Sequence, residues 1–321
     1  MKMRKLGILI YRIFFILLFS EFIFTNSEAK NEKKITFIAV GDVLLDRGVA
    51  ETLKGVKPED ALKEIIPVLK KGDIVFCNLE CPFVSNPAPL PKPVSFSSYP
   101  SMVSVLKIAG FNIISLANNH TMDCGKAGLL ETMENLEKQK IAFCGAGRNK
   151  KEAHSPFIFK IKGICIGFLA YCDFSPEGII RLSDAPTIAV IDEDTLSREI
   201  KIAKSKVDIL VVSFHWGTEF YPLPTARQKR IAEESIDAGA DIIIGHHPHV
   251  VQPTEIKKQK SGRKSLIVYS LGNFMFDTTK EKSNESIILE CILTKNGIEQ
   301  IKTYPVKIKQ GIPVLLQTTD K

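Results

Sequence analysis

Ile242-Ile243-Ile244-Gly245-His246-His247-Pro248-His249 is the stretch on which the rest of the chain turns. Three consecutive isoleucines suit a strand buried on both faces, and the polar cluster after them starts at a glycine. In open α/β sheets, ligands bind beyond the carboxyl ends of the strands, so a run that ends in histidines marks that end as chemical. Proline restricts the residue before it, which predicts an extended His247. Residues two apart on an extended chain point the same way, so His247 and His249 are expected to face one ion.

Four upstream runs end in the same chemistry. Ile35 to Val40 leads into Gly41-Asp42, and Asp73 to Cys77 into Asn78-Leu79-Glu80. Phe111 to Leu116 leads into Ala117-Asn118-Asn119-His120, and Ile209 to Phe214 into His215-Trp216-Gly217. Singly, each has an ordinary structural reading: a turn or cap at Gly-Asp, a hydrogen-bonded loop at Asn-Asn-His, a structural histidine after a strand. Jointly they differ, because five of the six histidines lie in three of these loops and only His154 is left over. Imidazole nitrogens with carboxylate and amide oxygens suit divalent manganese, iron or zinc rather than a cysteine-rich structural zinc site.

Between these runs come apolar residues at threes and fours, which predict helices over Glu59 to Lys70, Ser101 to Ala109, Lys126 to Lys138, Asp192 to Lys204 and Thr225 to Ala238. Ala109-Gly110 and Ala238-Gly239 place glycine where a left-handed helix end requires it. With Ile141 to Cys144 as a further short strand, the alternation is that of an α/β chain. Two hairpins break it: Phe157 to Ile161 with Ile164 to Ala170, and Ile287 to Leu293 with Ile298 to Ile308 across Asn296-Gly297. The sheets are therefore expected to be mixed. Ser85 to Pro93, with four prolines, reads as a stiff extended loop, and no domain boundary is evident after Ile35.

The chain has 321 residues, 45% hydrophobic and 25% charged, a composition that excludes wholesale disorder. Its net charge is +7, of which Lys2, Arg4, Lys5 and Arg12 against Glu21 and Glu28 supply +2 before Lys30. The remaining +5 is spread over mixed signs, which argues against a nucleic-acid groove. The first residues combine a basic start, an apolar run through Ile13 to Phe19 and a small-x-small triplet at Ser27-Glu28-Ala29. Residues 1–29 thus read as a secretion signal or an amino-terminal membrane anchor, with 30–34 as a charged linker. The seven cysteines show no CxxC pair and sit in or beside apolar runs, as small buried hydrophobes do.

Gly41-Asp42-Val43-Leu44-Leu45, Asn78-Leu79-Glu80, Ala117-Asn118-Asn119-His120 with Asp123, His215-Trp216-Gly217 with Glu219, Gly245 to His249, and Tyr269-Ser270-Leu271-Gly272-Asn273-Phe274 resemble, in order, the capsule-synthesis CapA proteins. That family is associated with poly-γ-glutamate and belongs to the calcineurin-like metallophosphoesterase superfamily. The resemblance implies one domain over 35–321, built as a four-layer αββα sandwich with mixed sheets and carrying one or two divalent ions. It places Asp42 on the first ion, Glu80 in the bridging position with Asn78 close by, and Asn119 and His215 on the second ion. His247 and His249 divide between the ions. His120, with Asp123, forms the catalytic pair, and His246 stands behind the ligands. The usual superfamily motif is Asp-x-His, whereas here Leu44 holds the third position and cannot ligate; Asp46 is the nearby alternative. The implied function is an exported capsule-synthesis protein of the cell envelope with a metal-dependent hydrolase-type site. The second reading is an envelope component that binds acidic polymer without turnover. Expected partners are an acidic polymer or phosphoester and membrane polymer-synthase subunits. Cys81 is rejected as a nucleophile, because no base or lowered pKa accompanies it in the sequence.

Overall fold

The computed structural model describes residues 33–175, 183–259, 262–278 and 280–316. The segment 1–29 and the first three linker residues lie outside them. In chain order the strands are β1 (Ile35–Val43), β2 (Ile74–Leu79), β3 (Ile113–Ser115), β4 (Ala142–Cys144), β5 (Ala146–Gly147), β6 (Phe157–Ile161), β7 (Ile164–Cys172) and β8 (Thr187–Ile188). They continue as β9 (Ile209–His215), β10 (Ile242–His246), β11 (Thr254–Lys258), β12 (Lys264–Val268), β13 (Asn273–Met275), β14 (Glu285–Thr294), β15 (Gly297–Lys309) and β16 (Ile312–Leu315).

One sheet runs β16-β15-β14-β1-β2-β3-β4, with β13 also paired to β1; a second runs β11-β12-β10-β9-β7-β6. β1 to β4 are parallel, as are β7, β9, β10 and β12, while both expected hairpins add antiparallel strands. The mixed sheets follow from that division.

Period-two alternation in the second sheet assigns its two faces. Ile166, Phe168, Val211 and Ile244 pack toward the first sheet, where the Phe168 ring lies 5.8 Å from Phe37 and 6.0 Å from Phe76. Their neighbours Leu169, Leu210, Val212 and Ile243 instead bury Leu196, Ile200 and Ile231 of the helices Glu193–Lys204 and Ala226–Asp237. On the first sheet, helices Val103–Ala109 and Gly125–Lys138 contribute Leu106, Leu129 and Met133 to the shared core. The result is the expected four-layer αββα sandwich.

Helix ends follow their sequence signals. Thr225 and Gln228 form a reciprocal capping box, Asp192 caps through Asp194 N, and Gly110 and Gly239 take φ of 102° and 114°. The expected helix Glu59 to Lys70 is instead two short ones, Pro58–Ala61 and Ile66–Leu69, because Pro67 lacks the N–H that a continuous helix needs. The helix over Ser101 to Ala109 opens with a tight turn at Pro100–Met102. The short helix Arg47–Leu53 and the pairing of β11 with β12 were not expected from the pattern. Five of the seven cysteines are buried, and among the described residues none forms a disulfide. No described helix is long and apolar enough to cross a membrane.

Two glycines govern how strands reach the polar cluster. A Cβ on Gly41 would lie 1.8 Å from Gly272 O, and one on Gly245 would lie 1.9 Å from Tyr269 O. Backbone fills the space a side chain would take. Gly245→Ala is therefore expected to destabilise the fold by about 3 kcal/mol, at the upper end of overpacking costs, read as a lowered denaturant midpoint at unchanged slope.

Candidate metal centre

Parallel pairing puts Asp42 beside Asn78 in the first sheet and His215 beside His246 in the second. The two carboxyl ends converge, and the side chains meet there. Asn78 Nδ2 lies 2.9 Å from Asp42 Oδ1, 3.2 Å from Glu80 Oε1 and 3.3 Å from His215 Nδ1. Its two hydrogens are shared among three acceptors. Asn78 Oδ1 meanwhile accepts from Asn118 Nδ2 at 3.0 Å, so the amide nitrogen is the atom turned to the cluster. His215 Nε2 donates to Asn119 Oδ1 at 2.9 Å. His246 Nδ1 donates to Asp42 Oδ1 at 3.0 Å, and His247 N donates to Asp42 Oδ2 at 3.2 Å.

His247 and His249 reach the site by a route different from the expected one. Their φ values are 92° and 57°, so the segment is a tight bend and not an extended strand. The pull of proline toward an extended His247 is overridden by the bond from His247 N to Asp42. The two rings still lie 6.0 Å apart, and the His247 ring is 4.8 Å from that of His215. His249 Nδ1 donates to Asn273 Oδ1 at 2.8 Å and sits 3.5 Å from Asp42 Oδ2. Leu44 is fully buried in the core. Asp46 caps a helix with one oxygen and accepts from Ser97 N with the other, so it does not take the vacant ligand role.

His120 and Asp123 form a pair at the edge of the cluster: His120 Nδ1 donates to Asp123 Oδ2 at 2.9 Å. Asp123 also accepts from Phe96 N and is ion-paired with Lys92. Lys92, almost wholly buried, donates to Asn119 O at 3.0 Å, so the proline-rich loop locks down the catalytic-pair candidate. The sequence pattern carried no signal for Lys92. A cavity of 360 Å³ opens beside these groups, lined by Arg47, Lys92, His120, Glu219, Phe220 and Lys280 among others. Trp216 stays out of it, fully buried and stacked on Phe214 at 4.6 Å.

All nine expected residues, Asp42, Asn78, Glu80, Asn119, His120, Asp123, His215, His247 and His249, thus belong to one connected cluster. Their electrostatics are set by burial. Burial opposes the charge on Asp42, but bonds from His246 and His249 outweigh it and hold the carboxyl well below its usual range. Burial and the Asp42 charge push Glu80 up. Burial, then its imidazole neighbours, push His215 down and take His247 down to about 3. For His249, burial is overcome by Glu80 and Asp42, which raise it to about 9. Burial also lowers His120 against the pull of Asp123. Cys81 is buried with its thiol pushed up, which agrees with its rejection as a nucleophile.

The donor set fits divalent ions. Asp42, Glu80 and His215 offer ligand atoms within 4.8 Å of one another, and the buried Glu80 Oε2 has no hydrogen-bond partner. A second triple, Glu219, His247 and His249, meets the same limit. Glu219 stood in the quoted motifs without a role.

Residues 36–278 match the family described as bacterial capsule synthesis protein PGA_cap. The capsule biosynthesis protein CapA of Bacillus anthracis is 32% identical over 292 residues, covering 88% of this chain and 70% of that one. The PGA biosynthesis protein CapA of Bacillus subtilis is 32% identical over 277 residues, covering 85% and 72%. Among solved structures, a hypothetical protein from Thermus thermophilus aligns over 86% of this chain and 100% of its own at a TM-score of 0.52 and 14% identity, a likeness of fold alone. On the match over most of its length and on these relatives, the chain belongs to the bacterial capsule synthesis PGA_cap family.

Proposed function

We propose that this capsule-synthesis family member is exported and that its strand-end cluster is a metal-dependent hydrolase-type centre acting on an acidic polymer or a phosphoester. The observation that carries the reading is Glu80, a fully buried carboxylate with a partnerless oxygen beside Asp42 and His215. Burying such a group costs several kcal/mol unless it is paired, and a divalent cation is the pairing that this donor set suits. Asp42, Glu80, Asn119, His215, His247 and His249 would hold one or two such ions, of manganese, iron or zinc, with Asn78 ordering the carboxylates. A bound ion supplies an acidified water and positive charge toward a phosphoryl or carbonyl oxygen.

The chain's own residues supply the rest. Asp123 fixes the tautomer of His120 by accepting from Nδ1, so Nε2, which accepts from Asn119 Nδ2 at 3.3 Å, is the atom that would exchange a proton with a leaving group. Lys92, paired with Asp123, holds that carboxylate in place. Export rests on the sequence of residues 1–29, and membrane polymer-synthase subunits are the partners that an envelope protein of this family would meet. The second reading, polymer binding without turnover, is favoured by Lys280 on the cavity lining, where Arg47 and Lys92 are already paired with Asp277 and Asp123.

His215→Ala or Asn119→Ala is expected to lose one bound ion and to abolish cleavage of a chromogenic phosphodiester. His120→Ala should keep the metal while turnover falls roughly 10²–10⁴-fold. Turnover that persists in chelator-stripped protein would refute the metal-dependent reading, and metal-loaded protein that shows no turnover would leave polymer binding.

A pH effect follows from His249. Its folded pKa near 9 lies above the ordinary histidine value, so the folded state holds the proton more tightly across that window. In chelator, stability should be full below about pH 6.5 and fall as pH rises through 9. His249→Ala should flatten that slope in denaturant titrations run across the same range.

A further inference from the structure

We infer that Glu219 is a metal ligand, completing an ion site with His247 and His249. The inference rests on the metal reading above and names the residue that makes a second ion site possible.

Leu44 leaves one ion short of a ligand, and the structure removes the nearest substitute, because Asp46 spends both carboxylate oxygens on Arg47 N and Ser97 N. Glu219 arrives from the other sheet. Its carboxylate and the two imidazoles place ligand atoms within 4.8 Å of one another. Metal–ligand distances of about 2.0–2.2 Å set donors no more than about 4.3 Å apart. A small side-chain rotation covers the difference, and Glu219 is exposed and able to make it.

The loop carrying Glu219 is built for the approach. Phe220 N donates at 2.7 Å to the carbonyl of Pro248, the residue between the two histidines. Phe220 holds a φ of 60°, and its ring lies 5.8 Å from that of His249. Further along, Gln252 Nε2 donates to Tyr221 O at 2.8 Å and Leu223 O at 3.2 Å. Against that bracing, the Glu219 carboxylate itself has no hydrogen-bond or ion-pair partner among the described residues. A fixed backbone with an uncommitted carboxylate over two imidazoles is the arrangement of a ligand. A carboxylate beside two imidazoles adds one negative charge and tilts the site toward harder ions such as Mn²⁺.

The test is metal counting. The full chain is stripped with chelator, loaded with Mn²⁺ and desalted, and affinity is followed by calorimetry. Glu219→Gln should lose one ion or bind it at least roughly tenfold more weakly, since even outer-shell partners are worth that much. The Mn²⁺-induced rise in Tm should shrink with it, while the Tm of the stripped variant stays at the wild-type value because the residue is exposed. His215→Ala should lose the other ion and keep this one. Unchanged count and affinity in Glu219→Gln would overturn the assignment of Glu219 while sparing the metal reading. A wild-type chain that binds no Mn²⁺, iron or zinc would overturn both.

Discussion

Asp42 and Glu80 are fully buried at the ends of neighbouring parallel strands, and two carboxylates so placed repel each other strongly in a poorly screened interior. The surroundings are arranged to contain that repulsion. Asn78 donates between the two groups, His246 and the His247 amide donate to Asp42, and His249 sits positively charged beside it. Glu80, which receives less of this help, is pushed toward its neutral form. A divalent cation would relieve the same repulsion more directly, and in doing so it would displace protons from Glu80 and His249.

The ligand types divide between the sheets. The first sheet brings oxygens at Asp42, Glu80 and Asn119, and the second brings nitrogens at His215, His247 and His249, with Glu219 beside them. Neither half alone carries the Asp42, Glu80 and His215 triple. The cluster exists only once Phe168 has packed against Phe37 and Phe76 and closed the sheets on each other. The chemistry is therefore tied to the core: a loosened sheet interface separates the oxygens from the nitrogens before any strand is lost.

Much of this was legible in the sequence because parallel strands are buried on both faces and end abruptly in polar residues. The strand ends at Asp42, Asn78, His120, His215 and His246 could be read one after another, and chain order turned them into a single site. The misreadings have local causes. Pro67 split a helix whose apolar spacing ran through it, and His247 bent because its amide found a buried carboxylate more than two hundred residues away. Lys92 left no pattern at all, and Glu219 stood in a quoted motif with nothing to give it a role. One lies in a proline-rich loop and the other in an exposed turn, and the partners that give them meaning, Asp123 and His249, are distant in sequence.

The cysteines have a consequence for dynamics. Cys77 on β2, Cys144 on β4, Cys172 on β7 and Cys291 on β14 are buried at separate places in the two main sheets, with no disulfide to hold them. A buried thiol meets a reagent only when its strand opens. Modification rates at these four positions are thus local clocks for opening. At these four positions an oxidant would act mainly during folding, in a race between sheet closure and thiol chemistry, whereas Cys124 and Cys165 are only partly buried.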